Sequence, residues 1–86
     1  MTHIIRTLID TVEDAEYCYK AAKMCTDPEG KRIFKEIATQ YLGCFDRILS
    51  YYHKKIAEKG PDEASYEWCK YFKSKAEEIK IGLTEI

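Results

Sequence analysis

Two short breaks divide this chain of 86 residues into three segments, and they limit the fold more than any other feature. The first break is Asp27-Pro28 and the second is Gly60-Pro61-Asp62, and together they contain both prolines of the chain. Asp27 suits a helix N-cap with Pro28 in the first turn, and Gly60 suits a helix C-cap before Pro61 blocks continuation. The breaks therefore predict three helices, at about residues 2–25, 28–58 and 62–80.

Apolar residues recur in each segment at alternating steps of three and four, which is the period of an amphipathic helix. The predicted core stripes are Ile5, Leu8, Val12, Ala15, Tyr19 and Ala22; then Phe34, Ile37, Tyr41, Cys44, Ile48 and Tyr51, widened by Ala38, Phe45 and Tyr52; and finally Ala64, Trp68, Phe72, Ala76, Ile79 and Leu83. Because the first turn is short, the first two helices must pack antiparallel, and the third folds back on them. The sequence predicts an all-α, antiparallel three-helix bundle in one domain, residues 1–86.

Charge and hydropathy exclude several classes of partner. The 14 basic and 15 acidic residues give a net charge of −1, which argues against a nucleic-acid-binding surface. The longest apolar run is far shorter than the roughly 18 residues of a membrane span. The N-terminal residues lack the pattern of a signal peptide, so we expect a cytoplasmic protein.

The first two segments carry a recognisable series of residues. It consists of the run at 8–22, then Asp27-Pro28, then Ile33-Phe34, Ile37-Ala38 and Gln40. This series, which spans about residues 4–59, resembles the ferritin-like superfamily and is most similar to a rubrerythrin-related bacterial family of unknown function. The resemblance implies a truncated ferritin-like unit, with a role in stress, whose four-helix core a second copy would complete by dimerisation.

The resemblance also indicates which chemistry the chain lacks. Catalytic members hold two irons with single glutamates and Glu-x-x-His pairs on facing helices. In the register of the resemblance, these ligand positions hold Val12, Tyr41 and Cys44, none of which supplies a carboxylate or an imidazole. We expect Tyr41 and Cys44 to pack inside the bundle as vestigial ligand positions. The resemblance thus implies no cofactor, no catalytic residue and no enzyme activity.

Four cysteines leave two interpretations open, which are free packed thiols or a shared site. Soft ions such as Cu(I) or Zn²⁺ favour thiolate ligands, so a metal or redox site is the alternative function. The absence of a Cys-x-x-Cys pair weighs against it, and neither histidine has an evident thiol partner. The residues of this alternative site are Cys18, Cys25, Cys44 and Cys69.

Aromatic residues exceed what a short bundle can bury. The chain has seven tyrosines, three phenylalanines and one tryptophan. Tyrosine is enriched at protein–protein interfaces, so the surplus predicts an interaction surface at Tyr17, Tyr51, Tyr66 and Tyr71. The predicted function is a non-catalytic interaction or self-association module, with a protein partner or a second copy; the thiol protein is the alternative, and a residual di-iron protein the weakest.

Gly43 lies inside the second segment, where glycine costs a helix about 1 kcal/mol relative to alanine. Two explanations stay open at this point. Either the position is a tolerant surface site, or another helix approaches so closely that a side chain would not fit.

Overall fold

The computed structural model describes residues 2–60 and 63–86, with side chains at 3–58 and 67–86. It contains α1 (Thr2–Met24), α2 (Pro28–Lys59) and α3 (Glu63–Thr84), and these described ranges contain no strand. The predicted all-α bundle of three helices is therefore confirmed. Its longest dimension is 48 Å, the length that α2 reaches by itself at about 1.5 Å per residue.

Capping residues fix the start and the end of α2. The Asp27 carboxylate accepts a hydrogen bond of 2.8 Å from the Gly30 backbone N–H, and Pro28 occupies the first turn. At the other end, Gly60 has a φ of 85° and donates its backbone N–H to the Ile56 carbonyl at 2.7 Å. Glycine suits this position because residues with a side chain rarely adopt positive φ. The predicted caps at Asp27 and Gly60 are confirmed, whereas Pro61 and Asp62 lie outside the described residues.

The helices alternate in direction along the chain. Asp46 of α2 pairs with Lys80 of α3, and farther along α2 Tyr52 contacts Cys69, so these two helices run antiparallel. The most extensive packing is between α1 and α2, and α3 contacts α1 more than it contacts α2. The packing of α2 on α3 is thus the least extensive of the three, and the Asp46–Lys80 pair belongs to it.

The core of α1 agrees with its predicted stripe, since Leu8, Val12, Ala15 and Ala22 are all buried. The complete buried apolar set of the described residues is Leu8, Val12, Ala15, Ala22, Ala38, Leu42, Phe45, Leu49, Tyr52, Cys69, Phe72, Ala76, Ile79 and Leu83.

The predicted core stripe of α2 is wrong by one position around the helix. Cys44, the expected centre, is exposed, and Tyr51 is 50% exposed. Leu42 and Leu49 are buried instead, whereas Ala38, Phe45 and Tyr52, the predicted widening of the stripe, are buried as expected. Consecutive helix positions differ by about 100°, and both sets repeat at steps of three and four. The sequence offered two adjacent apolar stripes, and the core is built from the one that contains the leucines.

The predictions for α3 also need correction. Trp68 was expected in the core but is 54% exposed, stacked on Phe72 with ring centroids 5.7 Å apart, while its neighbour Cys69 is buried. The Ala64 side chain lies outside the described set. The helix continues to Thr84 and does not end near Lys80. Gly82 would ordinarily weaken that last turn, but here it lies against the Tyr19 ring of α1, where the missing side chain permits contact.

Two ion pairs join α3 to the other helices. Lys75 Nζ lies 2.7 Å from a Glu16 carboxylate oxygen on α1, and Lys80 Nζ lies 3.0 Å from Asp46 on α2. The hydrogen bond from Lys75 is the main cause of a lowered Glu16 pKa, and the same bond raises the pKa of Lys75. The hydrogen bond to Asp46 likewise raises the pKa of Lys80.

Two glycines inside helices should respond oppositely to alanine. A Cβ added at Gly43 would meet no atom within 4 Å, which excludes close approach of another helix of the described chain and leaves the tolerant surface site. We expect Gly43→Ala to raise the free energy of unfolding by up to about 1 kcal/mol through helix propensity. Gly82→Ala should lower it, because the new methyl group overlaps the Tyr19 ring.

Urea unfolding followed by circular dichroism measures both changes. In a Tyr19→Ala background the overlap is gone, so Gly82→Ala should become stabilising there. An unchanged, destabilising effect in that background would contradict the contact between Gly82 and Tyr19.

The Glu16–Lys75 pair should stabilise the fold in a defined range of pH. Because the folded pKa of Glu16 lies below its usual 4.5, its contribution is present at neutral pH and disappears as the pH falls below that value. Glu16→Gln should therefore lower the free energy of unfolding at pH 7 by about 0.5–1 kcal/mol, a small value because the pair is partly solvated. The difference from wild type should shrink in acid. Glu13→Gln, at an exposed position on the same helix, is the control and should have little effect at either pH.

Candidate functional site

The three vestigial ligand positions have different environments. Val12 is fully buried among apolar side chains, Tyr41 is half-buried and Cys44 is exposed. The expectation that Tyr41 and Cys44 both pack inside the bundle is therefore wrong for Cys44 and only partly right for Tyr41. The nearest carboxylate on α1 is that of Glu16, which is held by Lys75 of α3 and, at 3.2 Å, by Lys20.

The four cysteines are free thiols and differ in burial. Cys44 is exposed, Cys69 is buried, and Cys18 and Cys25 are half-buried. Burial raises the pKa of Cys69, against a smaller opposite effect from the hydrogen bond that the Tyr52 hydroxyl donates to its sulfur. Burial also raises the pKa of Cys18, helped by the nearby Asp14 carboxylate. A raised pKa keeps these two thiols protonated and weakly nucleophilic near neutral pH.

Convergence of the thiols on a metal site is not observed. Within the residues that the structure describes, no group of three histidine, cysteine, aspartate or glutamate side chains is placed to hold a metal ion. Cys69 packs beside Tyr52, while Cys25 lies beside Gly30 at the turn between α1 and α2. The described chain therefore gives the alternative four-thiol site no support.

The predicted surface tyrosines are exposed but lie on three different helices. Tyr17 of α1 is 76% exposed, Tyr51 of α2 is 50% exposed and Tyr71 of α3 is 58% exposed. The side chain of Tyr66 lies outside the described set. Tyr51 faces the Lys55 ammonium group at 5.5 Å, and Tyr71 meets the edge of Phe72. Single exposed aromatic residues are common on soluble proteins, so their arrangement decides whether they form a surface.

One of these tyrosines belongs to a longer apolar surface, which we name the outer stripe. Phe34, Ile37, Tyr41 and Ile48 are half-buried, so each keeps part of its side chain in contact with solvent. The stripe spans about 26 Å of helix at 1.5 Å per residue. Its members, all on α2, are Phe34, Ile37, Tyr41, Cys44, Ile48 and Tyr51. These are the residues that the sequence predicted for the centre of the core stripe, and Tyr41 and Ile48 do pack against the buried core with part of their surface.

A shallow groove lies between α2 and α3. Leu42, Gly43 and Leu83 form its floor, while Lys35, Asp46 and Lys80 stand at its rim. The Asp46 carboxylate is engaged by Lys80, so this rim does not present a free acid for proton transfer. The groove has fewer apolar side chains than the outer stripe and is open to solvent.

No helix within the described residues has the length and apolar character needed to cross a membrane. Comparison of the chain with protein-family models, with curated proteins and with solved structures gave no match. The ferritin-like relationship therefore stays a prediction, based on the residues given above.

Several residues of structural importance were missed from the sequence. Leu42 and Leu49 were overlooked although, with Phe45 and Tyr52, they repeat at steps of three and four like the chosen stripe. The contact of Gly82 with Tyr19 was harder to predict, because a glycine near the end of a helix usually indicates the C-cap of that helix. The Glu16–Lys75 pair joins two helices whose relative rotation the sequence does not define.

The different burial of the cysteines predicts a graded reactivity. In dilute native protein, Cys44 should react first with a thiol reagent such as dithiobis-nitrobenzoate, because its side chain is exposed. Cys69 should react only as fast as the protein unfolds, because its side chain is buried and the pKa of its thiol is raised. Cys44→Ser should remove the fastest kinetic phase and leave the slow one unchanged. Rapid modification of all four thiols would contradict the described packing.

Proposed function

We propose that this chain is a non-catalytic, ferritin-like helical bundle that works in the cytoplasm as a self-association module. The observation that carries the proposal is the outer stripe of α2, which the other described helices cover only in part, since Cys44 and Tyr51 are exposed and the other members are half-buried. In a four-helix bundle of the ferritin-like kind, such a face would meet further helices. A second copy could supply them.

The chemistry of the ligand positions supports a role without catalysis. Val12 places an aliphatic side chain where the resemblance requires a carboxylate, and Cys44 replaces the imidazole with an exposed thiol. The neighbouring Glu16 carboxylate is bound to two lysines, and this pairing holds α3 against α1. In our proposal the residues of the former ligand positions now serve packing and association.

The expected strength of association follows from the size of the stripe. Burying an apolar side chain completely is worth about 1.5–3 kcal/mol, and these side chains are already partly covered. Burying two stripes of six residues would thus contribute a favourable free energy on the order of 10 kcal/mol, before the costs of association are subtracted. Lost translational and rotational freedom and side-chain ordering cost about 4–15 kcal/mol. We therefore expect a reversible complex with a dissociation constant in the micromolar range or weaker.

Substitutions at the exposed members of the stripe test the proposal without disturbing the core. Tyr51→Glu and Cys44→Glu each place a charge on the stripe, so they should shift the protein towards the monomer at all concentrations. Tyr71→Glu and Ile81→Glu, at comparably exposed positions on α3, are the matched controls and should associate like wild type.

Sedimentation velocity between about 1 and 500 μM protein gives the readout, a range chosen to bracket the expected affinity. Circular dichroism checks that each variant keeps its helix content. A wild-type protein that sediments as a monomer of 10.1 kDa over the whole concentration range would overturn the proposal. Equal weakening by the controls on α3 would also overturn it, because association would then not depend on the outer stripe.

A further inference from the structure

The outer stripe has the same spacing when read in either direction. Its members are separated by steps of three, four, three, four and three, and the midpoint lies between Tyr41 and Cys44. If two copies of α2 pack antiparallel about this midpoint, the four outer residues each meet one of similar kind, and at the centre a large side chain meets a small one. Phe34 meets Tyr51, Ile37 meets Ile48, and Tyr41 meets Cys44 of the second copy. A two-fold interface requires such self-complementarity, because the same surface must fit itself.

A line of charged residues follows one edge of the stripe. Glu29 and Glu36 lie in the N-terminal half of α2, and Arg47 and Lys54 lie in its C-terminal half. Steps of seven and eleven residues return to within about 20° of the same direction on a helix, so these four side chains share one line. That line is about 100° from the middle of the stripe, close to where charged residues flank the seam of a coiled coil.

Antiparallel pairing would bring the opposite charges together. In the register set by the apolar residues, Glu36 lies two residues, or about 3 Å along the axis, from the level of Arg47 in the second copy. Glu29 has the same offset from Lys54. Glutamate, arginine and lysine side chains are long enough to bridge this distance. Apolar spacing and charge order are independent features of the sequence, and the registers that they indicate agree to within two residues.

These four side chains are also available for a partner. All four are exposed, and within the described residues none of them takes part in an ion pair. A parallel two-fold pair would instead place the charged line of each copy on opposite sides of the interface, so the four side chains would gain no partner from the second copy. An unrelated partner protein would give no reason for the charges to be arranged symmetrically about the centre of the stripe.

We propose that the occupant of the outer stripe is a second copy of this chain, packed antiparallel across a two-fold axis between Tyr41 and Cys44. Symmetric Glu36–Arg47 and Glu29–Lys54 ion pairs between the copies fix the orientation. This inference rests on the proposed self-association and adds its geometry. Exposed ion pairs contribute little to affinity and more to orientation, so the apolar stripe supplies the binding and the charges select the register.

Charge reversal tests the orientation by sedimentation. Glu36→Arg alone and Arg47→Glu alone should each weaken association about tenfold, because each replaces two symmetric attractions by repulsions. The double variant Glu36→Arg/Arg47→Glu restores every opposite-charge pair across an antiparallel interface, so it should associate like wild type. Lys73→Glu, at an exposed position on α3, is the control and should have no effect.

Cross-linking through Cys44 supplies a second, independent readout. In the proposed register the two Cys44 residues are offset by three residues, about 4.5 Å along the axis, on helices about 8–10 Å apart. Because Cα atoms on the facing sides lie about 2.3 Å inward from each helix axis, the two Cys44 Cα atoms are then about 6–8 Å apart, within reach of a short bismaleimide. We expect a covalent dimer with the bismaleimide and no such dimer from Cys44→Ser.

The outcomes separate this inference from the proposed function. A monomer under all conditions defeats both. If Tyr51→Glu abolishes association but the double charge reversal stays as weak as the single variants, the stripe binds in another orientation and only the inference fails. Restoration by the double reversal, together with cross-linking dependent on Cys44, supports the antiparallel pair.

Discussion

The arrangement of this molecule depends on the width of the apolar surface of α2. Its apolar side chains occupy two neighbouring stripes, one through Leu42, Phe45 and Leu49 and one through Tyr41 and Cys44. The two remaining helices can cover only about one of them, because α1 lies along one side and α3 packs chiefly against α1. The stripe nearer both helices becomes the core, and the other stays partly in contact with water.

Local features then set the details of packing. Asp27 and Gly60 define where α2 begins and ends, so the short turn after α1 forces those two helices to run antiparallel. The missing side chain at Gly82 lets α3 come against Tyr19, and Lys75 holds the same pair of helices through Glu16. A chain of this size has a small margin of stability, so such single contacts matter more than they would in a larger domain.

The sequence was sufficient to predict the features that depend on local interactions. It was insufficient to predict those that depend on how each helix is rotated about its own axis. Helix number, the caps and the core of α1 follow from periodicity and turn chemistry. The inward stripe of α2 does not, because moving by one residue rotates the helix by about 100° and both stripes satisfy the same period. Burial of Cys69 in place of Trp68 is the same kind of error: bulk suggested the tryptophan, whereas the position nearest the core holds the smaller cysteine.

This error also changes how the ligand positions that the resemblance predicts are understood. If the stripe through Tyr41 and Cys44 were the core, replacing ligands by a phenol and a thiol would merely fill space inside one chain. Because Cys44 is exposed and Tyr41 half-buried, the same replacements put uncharged contact groups on an outer surface. Glutamate and histidine there would oppose association, since burying an unpaired charge is costly. In the proposed ferritin-like relationship, the substitutions that remove the ligands are the same ones that create the proposed self-complementary face, which is why we interpret the two proposals together.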